Sequence, residues 1–357
     1  MKMVRKHFYV FIIIICIAIT TFGCAKEDTD VSVLNTPTIG VTTAPSSTPN
    51  INNETATPIA QQEITFRDPN FEAVIRKALG KSIGEILVSD VNNITTLSAR
   101  VCGILYIDEL KYFTSLEYLD LYGNRINDLT PLSGLSSLKE LNLAKNYNIL
   151  YSSGKKEMDI SPLKGLVNLT KLNLDENMVV DISALASMSA LKEVSLNKNK
   201  ITDLSPLATC NSLEVLSVSH NDELSNLSPI FTLPNIKKII ATYNDISDIS
   251  GIAQLEKLEY LNINHNNLDT LMPICYMTQL WYVDAGNNAI TDISYLSGDI
   301  SIQHFGVSYN YISDFNVILN MHALRELEWA GNPVGDYSPI DIFENKEGVD
   351  IENEPIK

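Results

Sequence analysis

The chain has 357 residues, 26 basic and 43 acidic, giving a formal charge of −17, with 45% hydrophobic and 19% charged residues. This is a globular composition, and a surface so acidic leaves no footprint for a phosphate backbone, so nucleic acid is not an expected partner. Five cysteines are too few for a disulfide scaffold, and beyond the N-terminus no apolar run reaches the roughly 18 to 20 residues of a membrane-spanning helix.

Residues 1–23 have the layout of an export signal: Lys2, Arg5 and Lys6, then an apolar run from Phe8 to Ile19, then small residues. Thr21-Phe22-Gly23-Cys24 resembles the lipobox of bacterial lipoproteins, with Thr21 where leucine is usual. The resemblance implies that Cys24 is acylated, becomes the first residue of the mature chain, and holds the protein on the extracellular face of the bacterial cell membrane. An uncleaved signal anchor and plain secretion are the alternatives. Cleavage removes three positive charges and leaves −20, which an anionic leaflet repels, so the lipid has to hold the chain. Residues 24–62 then read as a tether. Within them, 27–62 hold 8 Thr, 3 Ser and 4 Pro, a flexible coil reaching roughly 35 Å r.m.s..

Residues 63–93 predict a helical N-terminal cap. Asp68-Pro69 is an N-cap and first-turn signal, Phe71, Val74, Ile75 and Leu79 share one helical face, and Gly80 ends the helix.

From 94 to 340 one unit recurs. YLDLYGN, ELNLAKN, KLNLDEN, EVSLNKN, VLSVSHN and five further strings share the frame L-x-x-L-x-L-x-x-N. Its asparagines are Asn124, Asn146, Asn177, Asn199, Asn221, Asn244, Asn266, Asn288, Asn310 and Asn332, mostly 22 residues apart. Alternation such as Leu119 and Leu121 around Asp120 predicts a short strand that cannot bury its apolar side alone, so units must stack. The asparagine side chains then form an internal hydrogen-bonded ladder at the strand ends. Each unit continues into DLTPL, DISPL, DISAL or DLSPL, and this pattern resembles the 22-residue leucine-rich repeats of internalin-type bacterial surface proteins; DPNFEAVIRKALG resembles the cap that precedes such arrays. Cys102, one period before Asn124, is that family's substitute for asparagine, making about eleven units. The resemblance implies an α/β fold, a right-handed leucine-rich repeat solenoid with a curved parallel β-sheet. Pro131, Pro162, Pro206 and Pro229 exclude a long helix in the return path, so the convex side is expected to be extended and 3₁₀. Residues 341–357 are expected to form a C-terminal cap and tail, with Trp329 pointing inward.

No nucleophile elbow, zinc-protease helix, phosphate loop or calcium loop is present: Gly80-Lys81-Ser82 has Ile75 where a phosphate loop needs glycine. The chain is not expected to be an enzyme, and no cofactor or metal is expected. His220 and His265 share a frame position but lie two strands apart, too far for one zinc ion.

Frame positions 3, 5, 7 and 8 look outward from the sheet. Repeats ending at Asn146, Asn177 and Asn199 display charges of mixed sign and read as solvated. Later repeats display Tyr243, Tyr260, His265, Tyr282, His304 and Tyr309, with Asn262 and Asp284 as polar partners. Position 2 is polar in every unit except at Trp281, beside which Gly286 and Gly306 are expected to leave a shallow depression. These residues are the candidate ligand-binding surface. The nine residues inserted after Asn146, including Tyr147, Tyr151, Lys155 and Lys156, form a neutral surface loop or a contact loop. The expected activity is that of a monomeric, membrane-tethered recognition module taking a protein or peptide on its concave face. A glycan-binding module attaching an assembly to envelope or polysaccharide is the alternative.

Overall fold

A computed structural model describes residues 58–146, 157–296 and 301–345. The expected signal, Cys24 and the tether up to residue 57, the insertion carrying Tyr147, Tyr151, Lys155 and Lys156, and residues 346–357 lie outside the described residues; the last five residues assigned to the tether, 58–62, are described and hold a 3₁₀ turn, Ile59–Gln61, with Gln62 O accepting from Val88 N at 3.0 Å. No described helix is long and apolar enough to cross a membrane.

Eleven strands form one parallel sheet in strict chain order. They are Thr96–Ser98 (β1), Tyr118–Asp120 (β2), Glu140–Asn142 (β3), Lys171–Asn173 (β4), Glu193–Ser195 (β5), Val215–Ser217 (β6), Lys238–Ile240 (β7), Tyr260–Asn262 (β8), Tyr282–Asp284 (β9), His304–Gly306 (β10) and Glu326–Glu328 (β11). Each strand occupies positions 3 to 5 of the frame. Register is fixed by the fourth position, where Leu119 pairs with Leu141, Leu141 with Leu172 and Leu172 with Val194, all buried. Slipping by one residue would turn this column to solvent. Positions 1 and 6 add further buried rows, such as Leu138, Leu169 and Leu191 or Leu143, Leu174 and Leu196, and the core is this continuous stack.

Pairing runs past the strands to position 8, whose N–H donates to the position-7 carbonyl of the next unit, as from Lys198 to Ser219 and His220 to Thr242. There the backbone enters the left-handed region in every unit, with glycine at Gly123 and Gly331 and ordinary side chains elsewhere, including Val101 at φ 53°. The turn carries the next residue inward. Asn199 shows the result: its Nδ2 donates to Leu174 O (3.0 Å) and Leu196 O (2.9 Å), while its Oδ1 accepts from Asn177 N (3.2 Å) and Val179 N (2.9 Å). In the first unit the thiol of Cys102 donates to Arg100 O at 3.3 Å.

The return path consists of short 3₁₀ turns such as Thr130–Leu132, Ser161–Gly165 and Ser205–Thr209. Their Asp is structural. Asp128, Asp159, Asp181 and Asp203 each accept the backbone N–H two residues on, at 2.7 to 2.9 Å, closing the turn that Pro131, Pro162 and Pro206 continue in the first, second and fourth cases and Ala184 in the third.

Helices close both ends. Pro69–Leu79 (α1) buries Phe71 and Ile75 and ends at Gly80 in the left-handed conformation; Val88–Val91 (α2) follows. Asp68, 3% exposed, caps α1 through Asn70 N and Phe71 N and also accepts from Leu105 N (2.6 Å) and Tyr106 N (3.1 Å), tying the helix to the first repeat. At the other end Ser338–Glu344 (α3) buries Ile340 and Phe343. The boundary expected after residue 340 falls inside this helix, because Pro339 initiates it before the acidic stretch begins. Trp329 points inward and packs edge-on against Phe315 and Tyr337.

Candidate functional site: two aromatic rails on the sheet

The parallel register lines up position 3 of successive units, so Lys238, Tyr260, Tyr282, His304 and Glu326 run in one row across β7 to β11. The rings of Tyr260 and Tyr282 stack at 4.0 Å and 7°, and those of Tyr282 and His304 at 4.1 Å and 2°. Lys238 Nζ sits 4.1 Å over the Tyr260 ring, and His304 Nδ1 lies 2.7 Å from Glu326 Oε2. Ring faces are therefore spent on one another, and ring edges meet the solvent. Trp281, 41% exposed, stands edge-on to Tyr260 (6.1 Å, 74°) and Tyr282 (5.8 Å, 79°). Burial, the neighbouring Tyr260 hydroxyl and the charges of Asp284 and Glu328 all raise the Tyr282 pKa, so its hydroxyl stays a proton donor.

A second rail occupies position 8. Tyr243 is sandwiched between His220 (4.3 Å, 9°) and His265 (3.9 Å, 20°), and His265 Nδ1 is hydrogen-bonded to Asn264 Oδ1. Five residues of chain separate positions 3 and 8, roughly 15 Å along the strand direction. Tyr309, 55% exposed, lies apart from both stacks; its ring rests on Gly331, where an added Cβ would come within 2.5 Å. Thus Trp281, Tyr282, Tyr260 and His304 converge, Tyr243 and His265 form a separate group with His220, and Tyr309 stands alone.

Polar side chains floor the space between the rails. Asn262 Oδ1 accepts from Asn264 N at 3.2 Å, and Asp284 Oδ1 accepts from Gly286 N at 3.1 Å and Asn264 Nδ2 at 2.9 Å. The depression expected over Gly286 and Gly306 is not bare. A Cβ on Gly306 would lie 2.9 Å from Asp284 Oδ1, and one on Gly286 would lie 2.7 Å from Asn264 Nδ2, so neighbouring polar groups fill the space the glycines leave.

A concave cavity of about 320 Å³ lies elsewhere, over β2 to β6, lined by Tyr118, Glu140, Lys171, Glu193 and Val215. Two of its charges pair with each other, Lys171 with Glu193 at 3.2 Å. Lys238, Glu326 and Glu328, which terminate or flank the first rail, did not stand out in the sequence. Following position 3 through every unit reveals the first two; Glu328 is visible only from its approach to His304. Among the described residues no group of His, Cys, Asp and Glu has the arrangement to hold a metal ion.

The model for tandem leucine-rich repeats in two copies matches residues 114–152 and 189–231, and the single leucine-rich repeat model matches 257–277. No curated protein matches the chain. Among solved structures, an internalin (inlF) from Listeria monocytogenes is 27% identical with a TM-score of 0.65, covering 81% of this chain and 96% of its own. A plant peptide hormone receptor, RGFR1 in complex with RGF2, shares the fold at 16% identity and TM-score 0.54, covering 69% of this chain and 46% of its own. Internalin C2 from Listeria monocytogenes is 32% identical, TM-score 0.57, over 62% of this chain and 94% of its own. With that identity over nearly all of internalin C2, and with eleven parallel strands in one repeating frame, the chain belongs to the internalin family of leucine-rich repeat proteins.

Proposed function

We propose that the protein is a non-catalytic recognition module that binds a protein or peptide on the concave face of its C-terminal repeats, tethered to the outer face of the cell membrane through Cys24. The observation that carries this reading is Trp281, the one aromatic in a polar column, half-exposed beside the stacked Tyr260 and Tyr282. Tryptophan buries a large apolar area on a partner while its indole N–H remains a donor, and such residues dominate interface energetics. The plant receptor's complex with a peptide hormone supports peptide capture as a use of this fold.

Covered ring faces count against the glycan alternative. A sugar platform needs open faces, whereas the faces of Tyr282 and Tyr243 are occupied by neighbouring rings. Edges and hydroxyls suit the mixed apolar and hydrogen-bonding demands of a polypeptide.

The test is a parallel screen of the full chain and its Trp281→Ala variant against protein, peptide and glycan arrays. Expected is binding to polypeptide spots that weakens about thirtyfold, or about 2 kcal/mol, in the variant, with stability changed by less than about 1 kcal/mol. Binding to glycans alone, or binding indifferent to the substitution, overturns the reading. Anchoring is tested separately: a fatty-acid analogue should label wild-type cells and not the Cys24→Ala variant, and equal labelling excludes the lipid anchor.

A further inference from the structure

We propose a second binding site at the N-terminal edge of the sheet, where β1 and α1 form a groove that takes an acidic, extended segment of a partner protein as an added strand. β1 ends the sheet, and no described strand pairs with its other side. Its bonds to β2 and the residues around it run through Thr95 O, Ala99 N and Val101 N. A parallel ladder uses every second residue, so the backbone groups of Thr96 and Ser98 and the N–H of Arg100 point away from β2. The opposite edge guards itself: β11 and the residue before it read Arg325-Glu326-Leu327-Glu328, and such charges deter a further strand. At the same frame positions the first unit reads Thr95-Thr96-Leu97-Ser98, uncharged and with two threonines that favour strands.

A cavity of about 690 Å³ lies against this edge, walled by Val74, Lys77 and Ala78 of α1 and by Thr96, Ser98 and Arg100 of the first repeat. A helix standing beside an open strand edge lets main-chain bonds hold an extended peptide while the helix side chains select among its residues. Here the helix offers the half-buried Val74 and the exposed Ala78 as an apolar strip, with Lys77 beside them.

Charge identifies the occupant. The chain has 43 acidic and 26 basic residues, yet no acidic residue lines this groove, and the two charged residues that do, Lys77 and Arg100, are both basic. Lys77 has no ion-pair partner among the described residues, whereas its neighbours Arg76 and Lys81 are taken by Glu72 at 2.8 Å and Asp90 at 3.0 Å. Asp120 accepts from Arg100 Nη1 at 2.6 Å, and a guanidinium keeps further N–H donors for a second carboxylate. An acidic segment meets both cations, and a neutral or basic one leaves Lys77 without a partner. A second copy of this chain is the poorer fit, because a two-fold contact through this edge sets Lys77 and Arg100 against themselves.

The experiment selects random decapeptides displayed on phage against the full chain carrying Trp281→Ala, which disfavours concave-face binders. The enriched peptides are then measured on that protein and on versions adding Lys77→Glu or Ser98→Pro, with circular dichroism confirming that each folds. Ser98→Pro removes an edge-facing N–H that the ladder to β2 does not use. Expected are peptides with Asp or Glu fixed at one position, bound about tenfold or more weakly after either substitution and more weakly as salt rises. Bound peptide should also slow amide exchange at Thr96 and Ser98 about tenfold. Peptides with no acidic preference, affinity unchanged by Lys77→Glu, exchange protection confined to other strands, or no enrichment at all overturns the site. A dimer of the chain alone that Ser98→Pro returns to monomer assigns the edge to a second copy and likewise overturns the proposal. If Ser98→Pro melts early, Lys77→Glu and the exchange pattern decide alone.

Discussion

Ten asparagines recur because each amide meets a demand that no apolar side chain could. At Asn199 the amide satisfies buried carbonyls of its own and the preceding unit and the N–H groups of Asn177 and Val179. Asn199→Ala leaves these groups unpaired and should cost about 1 to 3 kcal/mol, whereas Lys200→Ala, exposed next door, should cost under about 0.5 kcal/mol. Equal urea midpoints for the two variants would deny the ladder its structural role. Val101 makes the opposite case. It is a β-branched residue at φ 53°, a conformation that costs an L-residue roughly 1 to 2 kcal/mol, and its side chain is exposed. Val101→Gly should therefore stabilise the protein by about 0.5 to 1 kcal/mol despite glycine's greater freedom in the unfolded chain, measured as a raised melting temperature. The same residue-scale geometry was hidden in the sequence: Gly123, Gly331 and Asn287 at position 8 tolerate left-handed backbone, but the His, Tyr and Lys sharing that column masked the signal.

At the scale of elements, strands and their register were legible because the apolar frame has one solution that buries every leucine. The Asp of the DLSPL-type segments was legible as pattern and not as purpose, since an Asx turn depends on a backbone bond two residues away. The aromatic residues were legible by position, but their mutual stacking was not, because ring orientation depends on neighbours 22 residues away. The junction between α1 and the first repeat illustrates a contact no local pattern contains. Burial alone would raise the Asp68 pKa, but N–H bonds from Leu105, Tyr106, Asn70 and Phe71 outweigh it and hold the carboxyl below its ordinary 3.8. The unfolded chain thus binds this proton more readily than the folded one. The stabilisation is complete above roughly pH 4, declines as pH falls through the lowered value, and is absent below it. In Asp68→Asn the amide NH₂ meets N–H donors, so the variant should be less stable than wild type by about 1 to 3 kcal/mol at pH 7 and show a flatter acid limb. Urea midpoints from pH 7 to 2 check this, and parallel curves would mean that Asp68 carries no linkage.

The whole array is a chain of nearest neighbours: each strand pairs only with the units before and after it, and the core is a stack without a centre. Stability should then behave as a sum over units and their interfaces, provided both end helices remain. Deleting residues 178–199 removes one complete period and joins Asn177 to Lys200 in frame, so β4 can pair with β6 in the register β5 now occupies. The shortened protein is expected to unfold cooperatively with a melting temperature only a few degrees lower. Deleting residues 178–188, half a period, removes the return segment that carries Leu185 into the core and should abolish folding. The same deletion locates the ligand. The 178–199 variant loses β5 and the Lys171–Glu193 pair from the charged cavity while keeping both aromatic rails intact. Polypeptides found to bind wild type on the arrays should bind it with unchanged affinity, and a loss comparable to that of Trp281→Ala would move the binding surface to the charged repeats.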